Sequence, residues 1–113
     1  MTPGKFIGML FQSRDMMHIA HLQTTSFAEH KALNGYYDSI LDLTDKFSEV
    51  YFGRFKRVEI IIPESKKQDP TAHLTELRGI IEAERDNYSS DLQNIMDEMI
   101  GLINEILYLL TLV

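Results

Sequence analysis

The sequence predicts an all-α protein, in which four helices form one bundle and a long segment joins the second helix to the third. Apolar residues recur at intervals of three and four along most of the 113-residue chain, which is the spacing of helices that bury one face. The composition, 44% hydrophobic and 25% charged, is typical of a globular domain. The length suits a single domain over residues 1–113, because most domains have ~100–150 residues.

The first two helices are predicted over residues 5–22 and 25–53. In the first, Phe6 and Leu10 begin an apolar stripe with helical spacing. Residues 23–26, Gln-Thr-Thr-Ser, form a short polar break whose hydroxyl groups are suited to capping the second helix. Because this connection is short, the two helices are expected to form an antiparallel hairpin.

The segment over residues 54–69 is predicted to be extended. It contains a β-branched run of three isoleucines, followed by Pro63, which a helix interior does not tolerate. At ~3.3 Å per residue such a segment spans about 50 Å, whereas the second helix is only about 42 Å long at ~1.5 Å per residue. The segment can therefore return to the end of the bundle where the second helix began. We expect Ile60 or Ile62 to pack against the bundle or against a neighbouring subunit, since exposed isoleucines favour aggregation.

The last two helices are predicted over residues 70–86 and 89–112. Asp69 followed by Pro70 is typical of a helix start, and the fourth helix has the widest apolar stripe of the chain. The short connection between them predicts a second antiparallel hairpin. Two hairpins joined by one long crossover form the topology of ferritin-like four-helix bundles.

Charge and composition exclude several functions. The net charge of −6 and the isoelectric point near 5.1 oppose binding to nucleic acid or to anionic membranes. Without cysteine, a metal would have to be held by histidine and carboxylate. No apolar stretch approaches the ~20 residues of a membrane span, and no secretory signal is recognisable. We therefore expect a cytoplasmic protein with no nucleic-acid or membrane partner.

One face of the second helix combines polar and apolar residues. With His30 at zero, Asn34, Asp45 and Glu49 all fall within about 100° at ~3.6 residues per turn. Carboxylates on a buried face are costly unless a cation or hydrogen bonds compensate them. On spacing alone, the pattern favours the interpretation that Asp45 and Glu49 lie at the edge of the face and are solvated, with a cation site as the alternative.

The same helix carries a sequence that resembles the second-helix signature of the Dps-like miniferritins, roughly H-x-x-L-D-G-F-x5-D-x-x-D-x3-E. Asp42, Asp45 and Glu49 follow the first part at the spacing of the signature, and His18 lies twelve residues before His30, where the family has its first-helix histidine. The matching first part is His30-Lys31-Ala32-Leu33-Asn34-Gly35-Tyr36.

This resemblance implies a ferroxidase site between two subunits related by a two-fold axis. His18 and His30 would come from one subunit, and Asp45 and Glu49 from its partner, with Asn34 at the edge. Such a set of nitrogen and oxygen ligands suits ferrous iron, or another divalent metal. The resemblance also implies that the chain associates with itself, as a dimer at least and alternatively as a larger shell.

The sequence departs from the family at three places. Asn34 stands where the family has an aspartate, which removes a negative charge but keeps a carbonyl oxygen. Ile19 stands where a tryptophan often follows the first-helix histidine. No lysine-rich tail is present, so the DNA coating of some members is not expected here.

Four other residues have mainly structural interpretations. His21, one turn after His18, is a weaker candidate ligand whose alternative is a hydrogen-bonded core residue. Another histidine, His73, is expected to be solvated beside Glu76. Gly35 and Gly79 fall inside predicted helices, where each costs ~1 kcal/mol relative to alanine, and both are expected to allow close helix packing.

Two functions from different classes follow. The first is a Dps-like protein that binds iron and acts as a ferroxidase at an inter-subunit site. The alternative is a metal-free ferritin-like bundle that serves as a structural or interaction module, like small phage-type proteins of unassigned function. Asn34 and the short first helix favour the alternative.

Overall fold

The computed structural model describes all 113 residues as four helices without strands, which confirms the predicted all-α class. None of the helices is both long enough and apolar enough to span a membrane. The helices are α1 (Pro3–Gln23), α2 (Phe27–Arg54), α3 (Pro70–Glu84) and α4 (Ser90–Leu110), with a 3₁₀ turn over Arg85–Asn87 before α4.

The predicted caps begin two of these helices. The Ser26 hydroxyl accepts a hydrogen bond from the Glu29 amide at 3.2 Å at the start of α2. At the start of α3, the Asp69 carboxylate accepts one from the Ala72 amide at 3.1 Å, and Pro70 occupies the first helical position. Each cap satisfies an amide that has no partner within its helix.

The four helices form a bundle in which α1 and α4 lie on one diagonal and α2 and α3 on the other. The amino group of Met1 lies 3.7 Å from the Glu84 carboxylate, so α3 ends where α1 begins. Arg54 lies 3.8 Å from Asp91, so α4 begins where α2 ends. Consequently α2 and α3 run parallel, and the chain must travel the length of the bundle between them.

Residues 55–69, here called the crossover strap, run along α1. The Ile61 amide donates a hydrogen bond to the Gly4 carbonyl at 3.1 Å. Further along, the Gln12 side-chain amide donates to the Glu64 carbonyl at 2.6 Å. The strap therefore follows α1 from its first turn toward its middle.

Two glycines of α1 allow the strap to approach the helix closely. A Cβ atom on Gly4 would lie 2.0 Å from the Glu59 carbonyl oxygen, and one on Gly8 would lie 1.8 Å from that of Ile61. Both distances are far inside van der Waals contact, so no larger residue fits either position unless the strap moves. The backbone of the strap thus lies directly on α1.

Ile60, Ile61 and Ile62 are 37%, 45% and 59% exposed in the single chain, because the strap docks mainly through its peptide groups. Packing of Ile60 or Ile62 against a neighbouring subunit stays a prediction. The expectation for two helical glycines is wrong. Gly35 and Gly79 are not the close-packing glycines: a Cβ on Gly35 would meet its nearest neighbour at an ordinary 3.8 Å, and one on Gly79 would meet nothing within 4 Å.

The core lies between the helices and is filled by apolar side chains from all four. At one end, the rings of Phe6 and Phe47 lie 5.1 Å apart, and Tyr88 packs against both at 5.7 and 5.3 Å. Offset aromatic contacts of this kind add to the stability that comes from burial alone. The largest contribution from one helix comes from α4, with Leu92, Ile95, Met96, Met99, Ile103, Ile106 and Leu110.

Candidate functional site

A cluster of histidine and tyrosine rings lies between α1 and α2, near the turn that joins them. His21 and His30 stack with ring centroids 3.7 Å apart and are bonded reciprocally. Nδ1 of His21 lies 2.6 Å from the His30 carbonyl oxygen, and Nδ1 of His30 lies 2.8 Å from the His21 carbonyl oxygen. Since a carbonyl oxygen only accepts, each Nδ1 carries the proton. In the neutral rings, Nε2 therefore keeps its lone pair.

The third histidine of the cluster, His18, stacks on Tyr37 with centroids 4.0 Å apart. The Tyr37 hydroxyl donates to Asn34 Oδ1 at 2.8 Å, and the Asn34 amide lies 3.4 Å from the Asp38 carboxylate. The guanidinium group of Arg14 lies over the Tyr37 ring, 5.6 Å from its centroid. Each of these contacts is between α1 and α2 or within α2.

The predicted ligands do not come together within one chain. His18, His30 and Asn34 belong to the ring cluster, whereas Asp45 and Glu49 are exposed and lie further along α2. Fifteen helical residues separate His30 from Asp45, a distance of about 22 Å at ~1.5 Å per residue. Accordingly, no group of three or more histidine, aspartate or glutamate side chains in the chain is arranged to hold a metal ion.

The weaker candidate, His21, is 7% exposed and hydrogen-bonded through Nδ1, as expected for a core histidine. It is His21, and not His18, that stacks on His30. The two predicted carboxylates, Asp45 and Glu49, make no hydrogen bond or ion pair with any protein group.

A second polar cluster, which was not predicted, lies inside the bundle. The Ser13 hydroxyl lies 2.6 Å from the Tyr36 hydroxyl and 2.7 Å from Nε2 of His73. Ser13 and Tyr36 are fully buried, and His73 is 7% exposed. The expectation that His73 is solvated is therefore wrong. Ser13 ties α1 to α2 through Tyr36 and to α3 through His73.

Burial changes the acidity of two members of this cluster. It raises the pKa of the Tyr36 phenol above its ordinary value, an effect that the hydrogen bond with Ser13 partly opposes. Burial also lowers the pKa of His73, with nearby Glu76 opposing the change and Lys66 adding to it. At neutral pH both groups are therefore uncharged. One sequence signal was available: Ser13 occupies a position of the apolar stripe, three residues after Leu10.

A cavity of about 420 Å³ lies beside His73, between α1, the crossover strap and α3. Methionine, leucine and isoleucine side chains form much of its wall. The polar residues around it include Gln12 and Gln68. Its lining includes His73, a member of the buried polar cluster.

Fold and sites together define a small four-helix protein with a ring cluster at one helix hairpin and a cavity beneath a crossover strap. The chain belongs to the family of unknown function DUF5856, whose profile matches residues 21–110. It is also similar to the uncharacterized 14.6 kDa protein in the mobD-ri intergenic region of Enterobacteria phage T4. The identity is 30% over 112 residues, covering 96% of this chain and 87% of the relative.

No solved structure matches the chain. The phage relative agrees with the expected similarity to phage-type proteins of unassigned function. Neither comparison assigns the chain to the ferritins or to the Dps proteins.

Proposed function

We propose that this protein is a ferritin-like, Dps-like bundle that binds ferrous iron as its substrate between two copies of the chain and acts on it as a ferroxidase, with oxygen or peroxide as the electron acceptor. The observation that carries the proposal is that three candidate ligands have ligating atoms without a protein partner. Asp45 and Glu49 face solvent without a partner, and His30 leaves Nε2 free. The parallel α2 and α3, joined by one long crossover, support the ferritin-like part of the proposal.

The ring cluster suits a metal ligand because its histidines are already oriented. His30 donates Nδ1–H to the His21 carbonyl, and metal-binding histidines generally donate their other ring N–H in this way. This bond fixes the ring and the tautomer before a metal arrives. Imidazole nitrogen together with carboxylate oxygen is a suitable ligand set for ferrous iron.

The second copy supplies the missing carboxylates. If two α2 helices pack antiparallel across a two-fold axis level with Asp38, His30 of one subunit lies opposite the partner subunit's Asp45. Glu49 of the partner subunit lies one turn further along. The distance of about 22 Å that separates these groups within one chain then no longer matters, since each site takes one half from each subunit.

Charge on this face favours a bound cation. Asp38, Asp42, Asp45 and Glu49 all lie on the exposed side of α2. Bringing two such faces together places like charges close to one another, which destabilises an interface unless a cation compensates them. Ferrous iron and dimer formation are therefore expected to favour each other.

Iron binding is tested with the double variant Asp45→Ala/Glu49→Ala. The protein is loaded anaerobically with ferrous iron, desalted and analysed for metal and for mass by light scattering. Wild type should retain iron and the variant should not, while both keep the same helical content. The matched control is Asp86→Ala/Glu105→Ala, which removes the same charge from exposed positions outside α2. Equal iron content in wild type and in the Asp45/Glu49 variant would contradict the proposal.

The position of the two-fold axis is tested by introducing one cysteine into the cysteine-free chain. Asp38→Cys should form a disulfide-linked dimer under mild oxidation, because the axis brings this residue close to its own copy. Glu105→Cys on α4 should remain monomeric on a denaturing gel. A 13 kDa particle in solution at micromolar concentration, with iron present, would exclude the dimer.

The alternative function, a metal-free structural or interaction module, is favoured by Asn34. Its oxygen accepts from Tyr37 and its amide lies near Asp38, so both ends are used within the subunit. Asn34→Asp separates the two functions. At an iron site the added carboxylate should tighten iron binding and speed oxidation, whereas at a metal-free interface it should weaken the dimer.

A further inference from the structure

The cavity beside His73 has the size and lining of a small-molecule site and is separate from the proposed iron site. Its volume of about 420 Å³ falls within the range of ~300–1,000 Å³ that is usual for ligand pockets. Met9, Met16, Leu77 and Ile80 supply apolar surface from both α1 and α3. The crossover strap closes one side with Ile61 and nearby residues. Most of a ligand placed here would contact apolar side chains.

The buried polar cluster determines which proton His73 presents. The Tyr36 hydroxyl is fully buried and has Ser13 as its partner. If His73 Nε2 donated to Ser13, either the serine proton or the phenolic proton would have no acceptor within the cluster, at a cost of about 1–3 kcal/mol. In the opposite direction, Tyr36 donates to Ser13 and Ser13 donates to Nε2, and every proton is used. His73 then carries its own proton on Nδ1.

This Nδ1–H group is available to a ligand. His73 lines the cavity, and its only side-chain hydrogen bond joins Nε2 to the Ser13 hydroxyl. Because burial keeps the ring neutral at neutral pH, His73 offers one donor and no charge. A ligand therefore needs a hydrogen-bond acceptor at this point.

Gln68 offers the complementary group from the strap. Its amide nitrogen donates to the Glu76 carboxylate at 3.0 Å, which fixes the orientation of the amide. Its oxygen Oε1 is buried and has no hydrogen-bond partner. An unpaired buried acceptor is unfavourable, and because Gln68 lines the cavity, a ligand N–H group that displaces the atoms covering this oxygen would satisfy it.

Charges around the cavity select a neutral ligand. Lys5 and Lys66 are balanced by Glu64 and Glu76 among the lining residues. A carboxylate ligand would face the oxygen of Gln68, and an ammonium ligand would face the N–H of His73. We propose that the cavity binds a small neutral molecule that carries an amide group, with its C=O toward His73 and its N–H toward Gln68, on an apolar or aromatic body.

The first test determines the tautomer of His73 without any ligand. Long-range ¹H–¹⁵N correlation spectra at neutral pH distinguish a protonated ring nitrogen from an unprotonated one. His73 should show a proton on Nδ1 and a bare Nε2. A proton on Nε2 would overturn the assignment of the donor, and with it the proposal.

The second test compares four probes of similar shape: benzamide, benzoate, benzylamine and toluene. Each is titrated into ¹⁵N-labelled full-length protein, and the side-chain signals of Gln68 and His73 are followed. Benzamide should bind with a dissociation constant at least tenfold lower than those of benzoate and benzylamine, and should shift both signals. Toluene should bind more weakly than benzamide because it lacks both polar groups.

A matched pair of glutamine variants separates recognition from fold. Gln68→Met keeps the length of the side chain and removes its oxygen, so it should weaken benzamide binding at least fivefold and leave toluene binding unchanged. Gln23→Met, at the exposed end of α1, should leave both unchanged. Equal affinity for benzamide and toluene in wild type, or an unchanged benzamide affinity in Gln68→Met, would overturn the proposal, as would no benzamide binding up to its solubility limit.

Discussion

α1 and α4 are both 21 residues long, yet they are buried in different ways. The buried residues of α4 are all apolar and follow one stripe with spacings of three and four. Those of α1 occupy more than one side of the helix and include Gly4, Gly8, Ser13 and His21. The difference arises because α1 packs against α2, α3 and the crossover strap, whereas α4 lies against α2, α3 and the 3₁₀ turn that precedes it. The docked strap, and not helix length, accounts for the two buried glycines of α1.

The largest difference in stability is expected between two glycine-to-alanine variants, one on α1 and one on α4. Gly8→Ala puts a Cβ 1.8 Å from the backbone oxygen of Ile61. Because backbone cannot rotate aside as a side chain can, the free energy of unfolding should fall by about 3 kcal/mol. Gly101→Ala on α4 meets nothing within 4 Å and should raise it by up to ~1 kcal/mol through helix propensity.

Urea denaturation of both variants measures these changes. Opposite signs for Gly8→Ala and Gly101→Ala would support the difference between the two helices. If both variants were stabilised equally, the strap would not lie on α1 as described.

A smaller loss of stability is expected when the buried hydroxyl of Ser13 on α1 is removed, and almost none when the exposed hydroxyl of Ser90 on α4 is removed. Ser13→Ala deprives both Tyr36 and His73 of their buried partner, and should lower the free energy of unfolding by about 2 kcal/mol. Ser90→Ala, at the exposed first position of α4, should change it by less than ~0.5 kcal/mol. Thermal and urea unfolding of the two variants would show this contrast, and similar losses in both would argue against a special role for the hydroxyl of α1.

The smallest effect should be a pH dependence that comes from His73 of α3, the hydrogen-bond partner of Ser13 on α1. Burial lowers the pKa of His73 in the folded protein, with Glu76 opposing and Lys66 adding to the change. Between that lowered value and the ordinary ~6.5, the unfolded chain binds more protons than the folded one. Stability should therefore be fully present above pH ~6.5 and decline as the pH falls through this window.

The variant His73→Gln provides the comparison for this pH dependence. It cannot take up the proton, so its free energy of unfolding should fall less steeply than that of wild type across the same range. Urea midpoints measured at several pH values from neutral to mildly acidic would check this. Parallel curves for the two proteins would contradict a buried, neutral His73.

The features that the sequence predicted correctly are those that depend on neighbouring residues in the chain. The stripe of α4, the caps at Ser26 and Asp69, and the break between α2 and α3 all follow from patterns a few residues long. Helix periodicity and capping are local rules, and they need no knowledge of what packs against the helix.

The features that it missed depend on distant partners. Gly8 appeared to be one glycine among six until the strap, more than fifty residues later, was seen to lie on it. Ser13 and His73 are sixty residues apart, and no periodicity connects them. The predicted iron ligands also depend on a distant partner, since Asp45 would meet His30 only in a second copy of the chain.

The crossover strap also offers a place where the chain can be cut into two helix hairpins. Residues 64–67 are exposed and lie in an extended connection between the two helix hairpins, and exposed connections of this kind are where chains tolerate cleavage and insertion. A break after Ser65 leaves the docked part of the strap on the first fragment, beside Gly4 and Gly8, and leaves each hairpin whole. The two fragments present complementary apolar faces to each other. We therefore expect the two halves, expressed separately, to reassemble through these faces.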